Sequence, residues 1–190
     1  LRAMPGLDVI RPSDANELSV MWKYVMGLKD RPVALVLSRQ GMPTLDRSKY
    51  ASADGAAKGA YVLIESDGTP DMILIGTGSE IKICLDVYDQ LTSEGINVRV
   101  VSMPCSTLFQ SQDKAYRESV LPRSVKDRII VEAGSTFGWH GYAGREDDCG
   151  IFGLKDFGAS APSGDLYKEY GFSTERVVQV AKKMIGKSKT

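Results

Sequence analysis

Met72-Ile73-Leu74-Ile75-Gly76-Thr77-Gly78-Ser79-Glu80 is the segment from which the architecture of this chain can be worked out. Its first four residues form a continuous apolar run, which is typical of a strand buried on both faces of a parallel sheet. A glycine-containing turn follows, and then a helix that ends at Gly95. The next apolar run, residues 98–101, is a second strand. A strand, a helix and a strand in this order form a βαβ unit, so we predict an α/β fold. The predicted inner face of the helix consists of Ile81, Cys84, Leu85, Tyr88 and Leu91.

Further elements are predicted on both sides of this unit. Residues 60–64 and 128–132 have the composition of strands, and Pro122 stops a short helix around residues 113–120. Two helices close the chain. The last one starts at Ser173 or Thr174 and is predicted to end at Gly186, since glycine is common just past a helix end.

The first part of the chain is predicted to be the end of another α/β unit. Asp14 can cap a helix, and Glu17 stands at the position that completes a capping box. The apolar run at residues 33–37 predicts a buried parallel strand. Apolar periodicity is lost over residues 41–58, where we place a domain boundary. The predicted apolar face of the first helix consists of Leu18, Met21, Val25 and Leu28.

The composition argues against several classes of protein. The 190 residues include 24 Lys and Arg and 24 Asp and Glu, so there is no basic excess of the kind that nucleic-acid binding requires. No apolar run approaches the roughly 20 residues that span a bilayer. The chain begins with Leu1 rather than Met, which leads us to expect a fragment of a longer protein.

The cysteines favour reduced thiols in a cytoplasmic protein, because three is an odd number and their spacing fits no metal site. Cys84 is expected in the core, and Cys105 is expected to be somewhat more exposed. Cys149 follows the acidic residues 146–148, which would raise the pKa of its thiol. None of the three is a good nucleophile candidate.

Arg39 is the first candidate binding residue. It lies just past the carboxyl end of the predicted strand at residues 33–37, and ligands bind at that edge in open α/β sheets. Its guanidinium presents a rigid fork of donors that suits a phosphate. The alternative is that Arg39 pairs with a carboxylate or covers a loop.

The second candidate binding segment consists of residues 76–80, which we call the 76–80 turn. A strand, two glycines and a helix start can form an anion-binding nest of backbone N–H groups. The third glycine of a dinucleotide site and the lysine of a P-loop are both missing. The alternative is a tight turn in which Ser79 caps the helix.

His140 has neither triad partners nor further metal ligands in the sequence pattern, so we expect a packed or interface residue.

Several of these segments occur together in one family. The chain resembles the C-terminal part of transketolase, a thiamine-diphosphate enzyme, and the resemblance covers essentially all 190 residues in the family's order. The matching segments include Leu37-Ser38-Arg39-Gln40, Ile75-Gly76-Thr77-Gly78-Ser79-Glu80, Tyr116-Arg117-Glu118-Ser119-Val120-Leu121-Pro122 and Phe157-Gly158-Ala159-Ser160-Ala161-Pro162.

The resemblance implies how the chain is divided. Residues 1–47 would be the end of a partial α/β pyrimidine-binding domain, residues 48–60 a linker, and residues 61–190 a C-terminal domain. That domain would be a three-layer α/β structure with a mostly parallel mixed sheet. In the family, the arginine that matches Arg39 helps to hold the phosphate of the sugar substrate. No catalytic, cofactor-binding or metal-binding residue is expected in this chain, since those of the family precede the part that matches it.

The resemblance also implies a function for the parent protein. It would transfer a two-carbon ketol unit from a ketose phosphate to an aldose phosphate in the pentose phosphate pathway, using thiamine diphosphate and Mg²⁺ or Ca²⁺. It would be a cytoplasmic homodimer with sugar phosphates as substrates and no nucleic-acid or membrane partner. We expect this chain alone to bind no cofactor and to be inactive. The alternative is a stand-alone module, either one that binds an anion or nucleotide at the 76–80 turn or one that serves dimerisation.

Overall fold

A five-stranded sheet forms the centre of the protein in the computed structural model, which describes residues 1–144 and 150–188. A two-stranded sheet precedes it in the chain. The strands are β1 (Asp8–Ile10), β2 (Val33–Leu35), β3 (Tyr61–Ile64), β4 (Met72–Gly76), β5 (Val98–Ser102), β6 (Arg128–Ser135) and β7 (Ile151–Leu154). The helices are α1 (Ala15–Gly27), α2 (Ile81–Ser93), α3 (Ser106–Gln110), α4 (Lys114–Val120), α5 (Ser163–Glu169) and α6 (Thr174–Ser188), and 3₁₀ helices lie at Ala53–Lys58 and Gly78–Glu80.

The larger sheet is mixed but mostly parallel. Its strand order is β3-β5-β4-β6-β7, and only the β3–β5 pairing within it is antiparallel. The central strand is β4, in which Leu74 lies opposite Val100 of β5 and Ile129 of β6. The α/β class and the mostly parallel mixed sheet are therefore confirmed.

Two apolar cores cover the two faces of this sheet. Leu74 points into a core shared with α2 and α6, which contribute residues such as Leu91 and Val177. Ile73 points to the opposite face, where Phe109 and Trp139 pack. Because successive side chains of a strand point to opposite faces, one continuous apolar run supplies both cores. The predicted three-layer architecture is confirmed.

The N-terminal part is a small βαβ unit in which β1 and β2 pair in parallel and α1 connects them. The Asp14 carboxylate accepts a hydrogen bond from the Glu17 N–H at 2.8 Å, so the predicted cap is confirmed. The Glu17 carboxylate accepts from the Ser13 N–H at 2.7 Å, one residue earlier than a standard capping box. Met21 is fully buried.

The strand predicted as buried at residues 33–37 is shorter and more exposed than expected. β2 ends at Leu35 and is half-buried, while Val36 and Leu37 are exposed. Within the described part of this chain β2 pairs with β1 alone, so solvent reaches its open edge.

Other local predictions also needed correction. The apparently patternless residues 41–58 contain the 3₁₀ helix at Ala53–Lys58. Cys105 is fully buried, since it lies between β5 and α3. α6 continues through Gly186 to Ser188, because Gly186 does not adopt the left-handed conformation that ends a helix.

None of the helices among residues 1–144 and 150–188 is long and apolar enough to cross a membrane.

Gly59 provides a test of how α3 packs on the preceding 3₁₀ helix. Its φ is +85°, and a Cβ atom would lie 2.3 Å from the Phe109 backbone nitrogen. We expect Gly59→Ala to lower the free energy of unfolding by about 3 kcal/mol, from backbone strain plus steric overlap. Urea denaturation of the chain measures this change.

Gly68→Ala is the matched control. Gly68 has nearly the same φ, +89°, but a Cβ atom there would meet nothing within 4 Å. Its cost is therefore the conformational strain alone, about 1–2 kcal/mol. Equal losses for the two variants would contradict the close packing at Gly59.

Candidate functional site

The segment that carries Arg39 is an exposed loop, the Arg39 loop, which we define as residues 36–45. At its start, the Val36 N–H donates to the Ile10 carbonyl at 2.8 Å. The Ser38 hydroxyl donates to the Gln40 carbonyl at 2.9 Å and so forms a turn around Arg39. The Arg39 side chain is exposed, and no hydrogen bond or ion pair joins it to the residues that the structure describes. Pairing with a carboxylate of this chain, the alternative role, is therefore not observed among those residues.

A cavity of about 400 Å³ lies beside this loop. It separates the Arg39 loop from the beginnings of α2 and α5. Ser38 and Gln40, the chain neighbours of Arg39, line it, and so does Ser79 of the 76–80 turn. The structure thus brings the two candidate segments to one cavity. Further lining residues are Met42, Pro43, Leu45, Ile81 and Tyr167.

The 76–80 turn is occupied by groups of the protein itself. Gly78 has a φ of +60°, and its N–H donates to the Arg11 carbonyl at 3.1 Å. The Ser79 hydroxyl donates to Glu80 Oε1 at 2.6 Å. Ser79 therefore does not cap α2, in contrast to the prediction. The residue before α2 is Glu80, whose side chain forms no cap hydrogen bond and turns to other partners.

Beneath the turn lies the buried charge cluster, which consists of Arg2, Arg11, Glu80 and Glu132. Arg11 Nη1 is 3.0 Å from both Glu80 Oε2 and Glu132 Oε1. Arg2 Nη1 lies 2.6 Å from Glu132 Oε2. Burial by itself lowers the pKa of Arg11, but the carboxylates of Glu80 and Glu132 outweigh it, and the net effect raises that pKa. Arg11 therefore stays charged and links the N-terminal part to the larger sheet.

Neutral donors complete the hydrogen bonding of the two carboxylates. The Tyr167 hydroxyl donates to Glu80 Oε1 at 2.6 Å, and the Ala133 N–H donates to Glu80 Oε2 at 3.0 Å. The Trp139 indole N–H donates to Glu132 Oε2. Burial and the neighbouring Glu80 carboxylate raise the pKa of Tyr167 to about 12, so its hydroxyl remains a donor at neutral pH. Both carboxylates are thus well satisfied.

This arrangement does not suit an added anion. The Gly78 N–H of the predicted nest already donates to the Arg11 carbonyl, and the Glu80 carboxylate at the end of the turn is fully buried. A second negative group at the same place would meet Coulomb repulsion at low dielectric constant. The geometry favours the structural role of the 76–80 turn.

A second polar cluster joins α1 to the larger sheet. Glu17 is fully buried, and its Oε1 accepts from the Tyr61 hydroxyl at 2.8 Å and from the Ser102 hydroxyl at 2.6 Å. Burial and the Glu17 carboxylate raise the pKa of Tyr61. The sequence pattern identified Glu17 only as a capping residue, so this second role was missed.

The remaining candidates are the three cysteines and His140. Cys84 and Cys105 are buried, and burial raises the pKa of both thiols. Cys149 lies outside the described residues. His140 is exposed rather than packed, although its neighbour Trp139 is buried, and an interface role for it stays a prediction. Within residues 1–144 and 150–188, no group of three or more His, Cys, Asp or Glu could hold a metal ion.

The buried charge cluster predicts a large effect of removing Arg11. Arg11→Met leaves two buried carboxylates with one counterion fewer, so we expect the free energy of unfolding to fall by about 3–5 kcal/mol. Arg123→Met is the control, because the Arg123 side chain is 78% exposed and lies 3.6 Å from Glu118. Its effect should stay within about 0.5 kcal/mol. Similar losses in urea denaturation would contradict the proposed difference in burial.

Comparison with known protein families gives two matches. Residues 59–173 match the family model of the transketolase-like C-terminal domain, and residues 1–44 match that of the transketolase pyrimidine-binding domain. Together they cover most of the chain.

Individual relatives agree with these models. The transketolase of Aquifex aeolicus is 45% identical over 177 residues, which are 93% of this chain and 25% of that protein. The transketolase of Bacillus subtilis is 45% identical over 188 residues, 98% of this chain and 28% of that protein. The chain therefore spans about a quarter of the length of these curated relatives.

Solved structures show the same similarity. A transketolase from Leishmania mexicana superposes with a TM-score of 0.88 at 38% identity, covering 98% of this chain and 26% of that one. A Pichia stipitis transketolase in complex with sedoheptulose-7-phosphate also gives 0.88, at 37% identity, covering 99% and 26%. By sequence and by structure, the chain belongs to the transketolase family.

Proposed function

We propose that this chain is the C-terminal quarter of a complete transketolase. The whole enzyme would transfer a two-carbon ketol unit from a ketose phosphate to an aldose phosphate in the pentose phosphate pathway. The match to two successive domains of the family supports this proposal, as does the share of the relatives' length that the chain spans. The proposed division of the chain is 1–47, 48–60 and 61–190, the last being the C-terminal domain.

In this enzyme, Arg39 would bind the phosphate of the sugar substrate. One observation carries the assignment: an exposed guanidinium at the carboxyl end of the β1–β2 sheet, without a protein partner among the described residues. That end of a parallel sheet is where ligands bind, and a guanidinium can donate two parallel hydrogen bonds to a phosphate.

We propose that the rest of the enzyme holds the cofactor, as the resemblance to the family implies. Thiamine diphosphate stabilises a carbanion when it is bound, and its diphosphate needs a divalent cation such as Mg²⁺ or Ca²⁺. The described part of this chain contains no metal-binding group of three or more acidic, His or Cys residues. To this chain we assign the binding and positioning of the substrate.

We also propose that the complete enzyme is a cytoplasmic homodimer. Exposed apolar side chains on the N-terminal part support the view that it is covered in the whole protein. Trp22 is 53% exposed and Met26 is 71% exposed, and both lie on α1. Large apolar side chains that are grouped and exposed mark surfaces that contact other protein.

The first test uses the chain by itself. With thiamine diphosphate, Mg²⁺, a ketose phosphate and an aldose phosphate, the purified chain should show background turnover only, because we assign the groups that hold the cofactor to the rest of the enzyme. A coupled assay of ketol transfer measures this, and the full-length enzyme is the positive control. Substantial turnover by the chain alone would overturn its assignment as a substrate-binding part.

The second test is Arg39→Ala in the full-length enzyme. Loss of a charge-assisted hydrogen bond costs about 1.5–3 kcal/mol, which corresponds to an increase of roughly 10- to 150-fold in KM for a phosphorylated sugar. KM for the same sugar without phosphate should not change. Arg123→Ala serves as an exposed-arginine control. An unchanged KM for the sugar phosphate would contradict the role of Arg39.

A further inference from the structure

We propose that Asp14 is a positioning residue for Arg39, because its carboxylate fixes the far end of the Arg39 loop. The inference rests on the proposed phosphate-binding role of Arg39. Asp14 does not touch the substrate in this proposal. It acts through the loop, by determining where the Arg39 guanidinium lies.

The two oxygens of Asp14 have separate partners. Oδ1 accepts from the Glu17 N–H at 2.8 Å and caps α1. Oδ2 accepts from the Leu45 N–H at 3.0 Å and from Arg47 Nη2 at 2.8 Å. Asp14 is 6% exposed, so these bonds are shielded from water. One oxygen thus serves the helix, and the other holds the end of the loop.

Neighbouring residues strengthen the same anchor. Asn16 Nδ2 donates to the Leu45 carbonyl at 3.2 Å, so both backbone polar groups of Leu45 are bound at the start of α1. Arg47 Nη1 donates to the Tyr61 hydroxyl at 3.0 Å. Since Tyr61 belongs to β3, this end of the loop is connected to the larger sheet as well as to α1.

The other end of the loop is held close to the same place. The Val36 N–H donates to the carbonyl of Ile10, the last residue of β1. Ile10 and Asp14 flank the short connection between β1 and α1, so the two anchoring residues are four positions apart in the chain. Residues 37–44, which include Arg39, span the distance between them. Fixing both ends removes conformations that the loop would otherwise have to lose when phosphate binds.

Asp14→Asn separates the two tasks of the carboxylate. Asparagine caps a helix about as well as aspartate and keeps one oxygen for the Glu17 N–H. Its amide group has no second acceptor for the Leu45 N–H and no charge for Arg47. The variant therefore keeps the helix cap and releases the loop.

The measurement is steady-state kinetics of the full-length enzyme with an aldose phosphate and with the same aldose lacking phosphate. We expect Asp14→Asn to raise KM for the phosphorylated aldose about fivefold, from the loss of hydrogen bonds to a charged group. Both kcat and KM for the unphosphorylated aldose should stay within about twofold, since neither involves Arg39.

Asp113→Asn is the matched control. Asp113 caps α4 in the same way, with Oδ1 accepting from the Tyr116 N–H at 2.7 Å, and it does not contact the Arg39 loop. It should leave all the kinetic constants unchanged. If Asp14→Asn fails to fold, Asn16→Ala replaces it, because it removes the bond to the Leu45 carbonyl at 3.2 Å and a longer one to Asp14 Oδ2 at 3.4 Å, and leaves the Asp14 carboxylate in place. A smaller rise in the same KM is then expected.

A double variant tests whether Asp14 acts through Arg39. In an Arg39→Ala background, Asp14→Asn should change KM for the sugar phosphate by less than about twofold, because residues that act through one another are not additive. If Arg39→Ala alone has no effect, the proposed function fails. If Arg39→Ala raises KM but Asp14→Asn does not, only the present inference fails. An equal effect of Asp14→Asn on both forms of the aldose, or full additivity with Arg39→Ala, also overturns it.

Discussion

The burial of Arg11 between Glu80 and Glu132 is the constraint on which the rest of the structure depends. Removing a carboxylate from water costs several kcal/mol unless a counterion and hydrogen bonds replace the water. Glu80 precedes α2 and Glu132 lies in β6, while Arg11 directly follows β1. The counterions Arg2 and Arg11 both belong to the N-terminal part, so the charges of the two carboxylates are balanced only when that part is in place. A pairing of charges thus fixes the relative position of two sheets that share no backbone hydrogen-bond ladder.

The position of Arg11 also determines the position of the candidate site, because the two are close in the chain. Arg11 is three residues from Asp14, and the backbone between them leads directly into α1. Because the ion pairs hold Arg11 in place, they also hold the start of α1. The Asp14 carboxylate, which accepts a hydrogen bond from the Leu45 N–H, lies there. The buried Glu17 adds a second attachment of α1 to the larger sheet. Buried contacts of Arg11, Asp14 and Glu17 therefore determine the position of the Arg39 loop, although the loop itself is on the surface.

The sequence predicted the features that are determined by residues close together in the chain. The strands around Leu74 and Val100 were predicted because an apolar run and its flanking glycines lie within a few residues. The cap at Asp14 is equally local. The ion pair of Arg11 with Glu132 joins residues 121 positions apart, and no local pattern connects them. An acidic residue at the end of an apolar run or before an apolar helix, as at Glu132 and Glu80, was the available signal. The burial of β2 was overestimated because an apolar run does not reveal how many neighbours a strand has.

In the proposed role of Arg39, its exposure explains why its loop would have to be ordered before substrate arrives. An ion pair between exposed groups contributes only about 0–1 kcal/mol, because water screens the charges and both side chains lose entropy. A surface arginine therefore binds a phosphate well only if part of that entropy is lost on folding rather than on binding. The anchors at Val36 and Leu45 have this effect. In the proposed function, the precise placement of one guanidinium is the chemical contribution of this fold.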